Sequence, residues 1–488
     1  MADSTVHKKK VAIVGGGLVG ALTALYFGKY GWEVHVYERR KDIRLPENKE
    51  RGRSINLALS QRGISALRGV GLGLEGIVLA SAIPMHGRMI HIGAEGKRMP
   101  QAYGVHGEYI NSVDRAKLNE LLLDSAEQME NVQLHFEHTL KRCDFDAGKA
   151  EFEIGDTGER LAVNADLIIG ADGAYSSVRN QLMRVIRMNY QQEYIEHGYC
   201  ELTIPPRHNE KGEPEYAMEP NFLHIWPRHS FMLIALPNPD KSFTCTLFMP
   251  FKNFDGIQTR EDLLNFFRKH FNDSIALIGE ERLVEEYFRN PRGSLMCVKC
   301  SPYHYSDKAL IIGDAAHSMV PFYGQGMNCG FEDVELLFSL FDQFRVSPTH
   351  LATSSETQEN KKDPTLERTL AAYTKMRHKD ALAICDLAMY NYIEMRSSVV
   401  SPLYLMRKRV EAWLHLLMPR YVIPLYTMVS FTSIRYSEAV RRWETQTYWL
   451  AAGATGLATG VVGALGWIGW RMRGVLGEQS RKLIDRIL

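Results

Sequence analysis

Little in this chain points to nucleic acid, to a structural metal or to an oxidising compartment. Its 488 residues carry 58 Lys and Arg against 57 Asp and Glu, a formal net charge of +1, which supplies no basic field for a polyanion. No stripe of Arg and Lys interleaved with aromatics breaks that balance. The seven cysteines lie scattered at 143, 200, 245, 297, 300, 329 and 385. An odd, dispersed set is the pattern of reduced thiols in a cytosol-facing protein. Cys297-Val-Lys-Cys300 has C-x-x-C spacing, but neither a second pair nor a histidine pair accompanies it, so no zinc site and no other metal is expected. The first ten residues hold no apolar core of a signal peptide, and the Asn272-Asp-Ser274 sequon is expected to stay unglycosylated. There is no repeat of fixed period and no long low-complexity segment.

What is present is three short signatures in a fixed order. The first is Val11-Ala-Ile-Val-Gly15-Gly16-Gly17-Leu-Val-Gly20, which reads as a buried strand, a tight turn and a helix. Gly15 permits the turn, Gly17 lets backbone approach a pyrophosphate, and Gly20 lets the helix lie close on the strand. The helix start then offers free N–H groups to phosphates. Glu38 ends the next strand at about the 20-residue offset where a carboxylate accepts from a ribose 2′-OH, which suits FAD or NAD and not NADP. The second signature, Asp172-Gly-Ala-Tyr-Ser176-Ser-Val-Arg179, and the third, Gly313-Asp314-Ala-Ala-His317, each follow a strand. Taken singly, the second is ordinary turn chemistry, and Asp314 in the third reads as readily as a cap of the next helix. Pro321-Phe322-Tyr323-Gly324-Gln325-Gly326-Met327-Asn328 then runs into a helix whose first N–H groups suit the electron-rich end of a flavin ring.

On these residues the chain resembles the class A flavoprotein aromatic hydroxylases, and among them those that act on kynurenine. The likeness runs from Val11 to about Trp443 and includes Arg51-Gly-Arg-Ser-Ile-Asn-Leu-Ala-Leu-Ser60, Leu223-His-Ile-Trp-Pro-Arg228 and Met389-Tyr-Asn-Tyr-Ile-Glu-Met-Arg396. It implies conversion of L-kynurenine to 3-hydroxykynurenine with FAD, NADPH and O2, through a flavin C4a-hydroperoxide. In such chemistry the cofactor reacts while the protein binds, orients and excludes water, so no catalytic side chain is assigned. Besides Gly15, Gly17, Gly20 and Asp172, the resemblance assigns Val19, Glu38, Arg39, Ala58, Arg115, Leu140, Ser177, Asp314, Met327 and Asn328 to FAD. It assigns Arg88, Tyr103, Asn391 and Tyr426 to the substrate, with Arg88 taking the amino-acid carboxylate through its fork of donors. Residue type alone favours plainer roles: a surface ion pair for Arg88, and buried side chains with one hydrogen bond for the others. Phe248, Met249, Phe251, Phe322 and Tyr323 are expected as walls of a dry pocket, a role that core packing matches equally well. With no second G-x-G-x-x-G fold, NADPH is expected to dock transiently on the FAD fold.

The expected fold is α/β: a Rossmann-like FAD-binding domain with a mixed-sheet substrate domain, a C-terminal helical region and a C-terminal transmembrane helix. The FAD-binding parts are 1–183, with a substrate-contacting segment 81–104, and 298–343. The substrate sheet is 184–297 and the helical region 344–447, within which 397–418 reads as a pocket cap, a surface-resting helix or an ordinary packed helix. Residues 448–470 carry no charge and have aromatics near both ends, which predicts a lipid-bilayer anchor followed by a basic tail, 471–488. The resemblance then implies the mitochondrial outer membrane, with the catalytic part facing the cytosol. Two local features depart from the commoner pattern, His86-Gly87 before Arg88 and a polar insert, 349–365, and both are expected to alter loop mobility. Two other readings remain at this stage. One is a flavoprotein that works through a partner, and the other is a hydroxylase or epoxidase of the same fold with another substrate. A flavin halogenase would show a Trp-x-Trp-x-Ile-Pro segment, which Trp226 and Trp443 do not form.

Overall fold

The computed structural model describes residues 6–48, 56–93, 97–351 and 362–484. Arg51–Ile55 of the family-like stretch, most of the polar insert and the last four residues of the tail lie outside them.

One layer is a six-stranded sheet in the order His304–Tyr305, Ala309–Ile311, Leu167–Gly170, Lys10–Val14, Glu33–Tyr37, Val132–His135. All neighbours are parallel except the edge strand His304–Tyr305. The strand sequences Val11-Ala-Ile-Val and Leu167-Ile-Ile-Gly are buried throughout, as strands covered on both faces must be. The ends of Lys10–Val14, Leu167–Gly170 and Ala309–Ile311 lie side by side. Each leads into one of the three signatures, so separated motifs meet at one sheet edge.

The second layer is a seven-stranded mixed sheet: Gly293–Ser301, Asn189–Ile204, Phe243–Pro250, Phe231–Pro237, Phe222–Arg228, Gly87–Ile92, Lys97–Ala102. Only Phe222–Arg228 and Gly87–Ile92 run parallel. Period-two alternation divides its faces. Trp226, Leu233, Leu247 and Met249 pack on the helices Arg260–His270, Asn272–Ile278 and Glu280–Arg289. Leu223, Ile234, Thr246 and Phe248 face the central cavity. Gly87 sits where a Cβ would come within 2.4 Å of the Gln101 carbonyl oxygen, so strand pairing itself demands the small residue before Arg88.

The helical region begins at Pro364–Arg396. Asp363 caps it by accepting from the N–H groups of Thr365 and Leu366 at 2.9 and 3.0 Å, and Pro364 takes the first-turn position that needs no donor. Pro402–Leu417 follows, with Leu403, Met406, Val410, Trp413, Leu416 and Leu417 exposed.

The stretch 448–470 lies inside one helix, Tyr436–Ile484. Even so, no helix among the described residues is long and apolar enough to cross a membrane, and this overturns the expected transmembrane anchor. The physical reason is that an uncharged run is not necessarily an apolar one. The segment contains glycines at 453, 456, 460, 463, 466 and 469, together with Thr455, Thr459, Tyr448 and three tryptophans. Against these stand the large aliphatics Leu450, Leu457, Val461, Val462, Leu465 and Ile468. A spanning helix needs roughly 20 predominantly apolar residues. The bilayer as a partner through this helix is withdrawn with the anchor.

Candidate active site

A cavity of about 2410 Å³, including its open mouth, runs between the two sheets. Its walls gather Gly15, Gly17, Val19, Glu38, Arg39, Ala58, Arg115, Leu140, Asp172, Ser177, Asp314 and Met327 along one length, and Arg88, Tyr103, Asn391 and Tyr426 at the other end. Of the residues singled out in the sequence, Gly20 and Asn328 stand behind the wall. A Cβ on Gly20 would lie 1.9 Å from the Gly15 carbonyl oxygen, so this glycine makes the turn possible. The Asn328 amide donates to Ala58 O and Gly324 O at 2.7 and 2.8 Å and accepts from Ser60 N at 2.8 Å, which ties two wall segments together. Phe248, Phe322 and Tyr323 line the cavity as expected. Met249 does not, because it alternates to the opposite sheet face, and Phe251 has passed into the next helix.

The cofactor end fits a dinucleotide by shape and charge. Gly15 has φ +105°, and a side chain at Gly17 would point into open space, so the turn leaves room for phosphate at the start of the helix Leu18–Lys29. The Glu38 carboxylate accepts from Gly16 N at 2.8 Å and from Arg40 Nε at 2.8 Å. Burial alone would raise its pKa, but these donors hold it below the usual carboxylate range. Ser176 caps the helix Ser177–Leu182 by accepting from Arg179 N at 2.9 Å, and Asp172 backs it, accepting from Ser176 Oγ at 2.5 Å and Ser177 N at 2.6 Å. The turn reading of Asp172-Gly173 is therefore realised while the residue also borders the cavity; the cap alternative for Asp314 is not, since no side chain caps the helix Asp314–His317. Asp314 is open to the cavity yet enclosed by its walls, which raises its carboxyl above the ordinary value despite the charge of Arg115. The helix Gly326–Phe344 starts at the cavity wall.

Behind Gly313 lies a network that sequence reading missed. Asp333 Oδ2 accepts from Gly313 N at 2.8 Å and pairs with His317 Nε2 at 2.7 Å, and Asp333 Oδ1 accepts from Arg377 Nε at 2.5 Å. Arg377 also donates to Cys329 O and Glu332. Burial opposes the charge on His317, but Asp333 outweighs it and pushes the imidazole well above its ordinary pKa. Asp333, though buried, is held low by His317 and Arg377. His317, Cys329 and Asp333 lie close enough to resemble a metal-ligand set. However, two cationic side chains and a backbone N–H already occupy the carboxylate, so the cluster works as an ion network. The available signal was Asp333, a lone acid on the buried face of a helix following Gly326.

At the other end Arg88 is fully buried. Its Nη1 donates to Glu394 at 2.6 Å and its Nη2 to Asn391 Oδ1 at 3.3 Å, and its guanidinium lies 5.0 Å from the Tyr426 ring centre. Tyr426 is stacked between Tyr103 and Tyr323, with ring centres 5.0 and 5.5 Å away. Asn391 Nδ2 donates to Phe322 O at 2.7 Å. Arg88 Nε has no hydrogen-bond partner. Glu394 was not singled out in the sequence, although it stands one helical turn from Asn391 in Met389-Tyr-Asn-Tyr-Ile-Glu, where the two share a face. Tyr404 and Lys408 from Pro402–Leu417 turn toward it, so that helix caps the Arg88 end.

Residues 8–345 match the FAD binding domain family. The chain is 48% identical over 446 residues to kynurenine 3-monooxygenase of Drosophila willistoni, covering 91% of this chain and 92% of that protein. It is 46% identical to the Sus scrofa enzyme of that name, covering 91% and 89%, and 47% identical to that of Anopheles gambiae, covering 98% and 93%. The chain belongs to the kynurenine 3-monooxygenase family. Among solved structures, 2-methyl-3-hydroxypyridine-5-carboxylic acid oxygenase superposes with a TM-score of 0.60 at 19% identity, covering 82% of this chain and 95% of that one. PqsL, a probable FAD-dependent monooxygenase from Pseudomonas aeruginosa, gives 0.59 at 18%, covering 80% and 97%. At that identity the two structures establish the fold alone. Membership in the family makes FAD the cofactor of the cavity, and the glycine turn, the Glu38 strand end and the Asp314 wall fit it.

Proposed function

We propose that this protein hydroxylates L-kynurenine to 3-hydroxy-L-kynurenine using NADPH and O2. The observation that carries the reading is Arg88, a buried cation with an unfilled Nε donor at the end of an FAD-sized cavity, beside Asn391 and the Tyr103–Tyr426 stack. A buried donor without a partner costs about 1–3 kcal/mol, and a substrate carboxylate at this place removes that cost. Glu394 on Nη1 and Asn391 on Nη2 fix the plane of the guanidinium, which leaves Nε as the donor without a partner. An aromatic amino acid bound by its carboxylate here places its ring toward Phe248 and Phe322, between Arg88 and the middle of the cavity.

When bound, FAD supplies the redox chemistry, accepting hydride from NADPH and activating O2. The residues of this chain do the rest. The glycine turn and Arg115 hold the cofactor, and the Asp333 network fixes the Gly313–Asp314 turn against it. Phe248, Phe322 and Tyr323 keep water from the reacting ring. NADPH docks from the surface, since the one glycine-rich nucleotide fold belongs to FAD.

The test compares NADPH oxidation by the FAD-loaded protein with L-kynurenine and with its decarboxylated amine. The expected result is strong stimulation by L-kynurenine alone. Equal stimulation by both removes Arg88 as the carboxylate partner, and none by either removes kynurenine as the substrate.

A further inference from the structure

Cys297 lies on the edge strand Gly293–Ser301 of the mixed sheet, and Cys385 on the helix Pro364–Arg396 that packs against it. The C-x-x-C spacing does not unite Cys297 with Cys300. Three residues along a strand turn two side chains to opposite faces, and Cys300 Sγ sits 3.1 Å from Ala316 O in the other core. Cys297 instead shares a pocket wall with Cys385, whose Sγ lies 3.8 Å from the Ser318 carbonyl oxygen. Both line a pocket of about 390 Å³, including its open mouth, separate from the FAD cavity. Lys299, two residues along and therefore on the same strand face as Cys297, also lines it, paired with Asp386.

This setting separates the pair from the other thiols. Burial pushes Cys143, Cys200 and Cys300 up to about 12. Cys297 moves the other way. The neighbouring Cys385 thiol and the ammonium of Lys299 lower it against the effect of burial, while Cys385 is raised. A cysteine of lowered pKa and a second, protonated cysteine lining one pocket is the arrangement of an attacking and a resolving thiol.

We propose that Cys297 and Cys385 form a peroxide-responsive dithiol that closes into a disulfide and pins the substrate-binding helix to the sheet edge. The oxidant is hydrogen peroxide. An NADPH-oxidising flavoprotein that fails to transfer oxygen converts NADPH, a proton and O2 to NADP⁺ and H2O2, so the oxidant arises within the same molecule. The Cys297 thiolate attacks one peroxide oxygen: an S–O bond forms, the O–O bond breaks, and the departing hydroxide takes a proton to become water. Sulfur is oxidised by two electrons and the peroxide is reduced. Cys385 sulfur then attacks the sulfenic sulfur: an S–S bond forms, the S–O bond breaks, and the leaving hydroxide takes the Cys385 proton as a second water. Cys385 shares its helix with Asn391 and Glu394, so the bond acts on the Arg88 end of the cavity.

The test treats the FAD-loaded full chain with H2O2 and maps its cysteines by alkylation and mass spectrometry. The expected result is loss of two alkylatable thiols, a cross-linked peptide pair containing Cys297 and Cys385, and recovery with dithiothreitol. In Cys385→Ser, Cys297 should accumulate as a sulfenic acid captured by dimedone. In Cys297→Ser, no adduct should form and Cys385 should remain alkylatable. Oxidation spread evenly over the seven cysteines, or Cys297 driven to sulfinic acid in the unsubstituted protein while Cys385 stays free, overturns the pairing. A several-fold change in kynurenine KM on oxidation, reversed by reductant, is expected as well. A disulfide that leaves KM unchanged overturns the link to the substrate end.

Discussion

The two ends of the central cavity are both built around a buried arginine and a carboxylate, yet they are finished differently. At the cofactor end, both oxygens of Asp333 are occupied by Gly313 N, His317 and Arg377. At the far end, Arg88 keeps one donor unpartnered beside Glu394 and Asn391. A buried charge cluster that is fully paired serves geometry, because its charges are already answered. One that leaves a buried donor unpartnered on a residue lining the cavity has a hydrogen bond still to make. Burial and ion pairing alone would not tell the two arginines apart, but the count of filled donors does.

The comparison breaks most sharply at Asp333. Asp333→Asn leaves buried His317 without its anion and Arg377 with only Glu332, which should destabilise the protein by about 3–5 kcal/mol, seen as a lower denaturant midpoint and weaker FAD retention. If stability holds, the network is not structural. Arg88→Ala should lower kcat/KM for kynurenine by roughly 150-fold, about 3 kcal/mol, while flavin absorbance of the purified protein persists. Loss of FAD instead would merge the two ends into one structural unit. Tyr426→Phe removes a hydroxyl from the cavity wall and keeps the ring stack, so if that hydroxyl bonds the substrate, kynurenine KM should rise about fivefold, the worth of one hydrogen bond near 1 kcal/mol.

The smallest signal is in pH. His317 is held above its ordinary value, so its contribution is complete below the usual histidine range and is lost as pH climbs through the raised value. Asp333 is held low, so its contribution is complete above the usual carboxylate range and is lost as pH falls through the lowered value. The melting temperature should therefore decline at both extremes, and the alkaline decline should be shallower in Asp333→Asn.

The cofactor end was largely legible in the sequence because its chemistry is local. A glycine turn, a strand-ending acid and a Gly-Asp pair each announce themselves within a few residues, and parallel pairing of three strands brings them to one edge. The substrate end was legible only through resemblance, since Arg88, Tyr103, Asn391 and Tyr426 come from four distant segments with no shared spacing. The two networks that orient these ends were not read, because Asp333 and Glu394 look like ordinary helical acids until the partner element is packed on them. The wall residue Met249 failed for a simpler reason: beside Phe248 in a strand, it had to point the other way. The membrane helix failed because absence of charge was read as hydrophobicity in a segment with a glycine at every third or fourth position.

The most direct measurement is turnover of L-kynurenine by the FAD-loaded protein with NADPH under isotopically heavy O2, with the product weighed by mass spectrometry. A hydroxylase of kynurenine yields 3-hydroxykynurenine carrying one heavy oxygen, in step with NADPH consumed. NADPH oxidation that leaves kynurenine unchanged and gives only hydrogen peroxide would contradict the assignment, making kynurenine an effector at the Arg88 end.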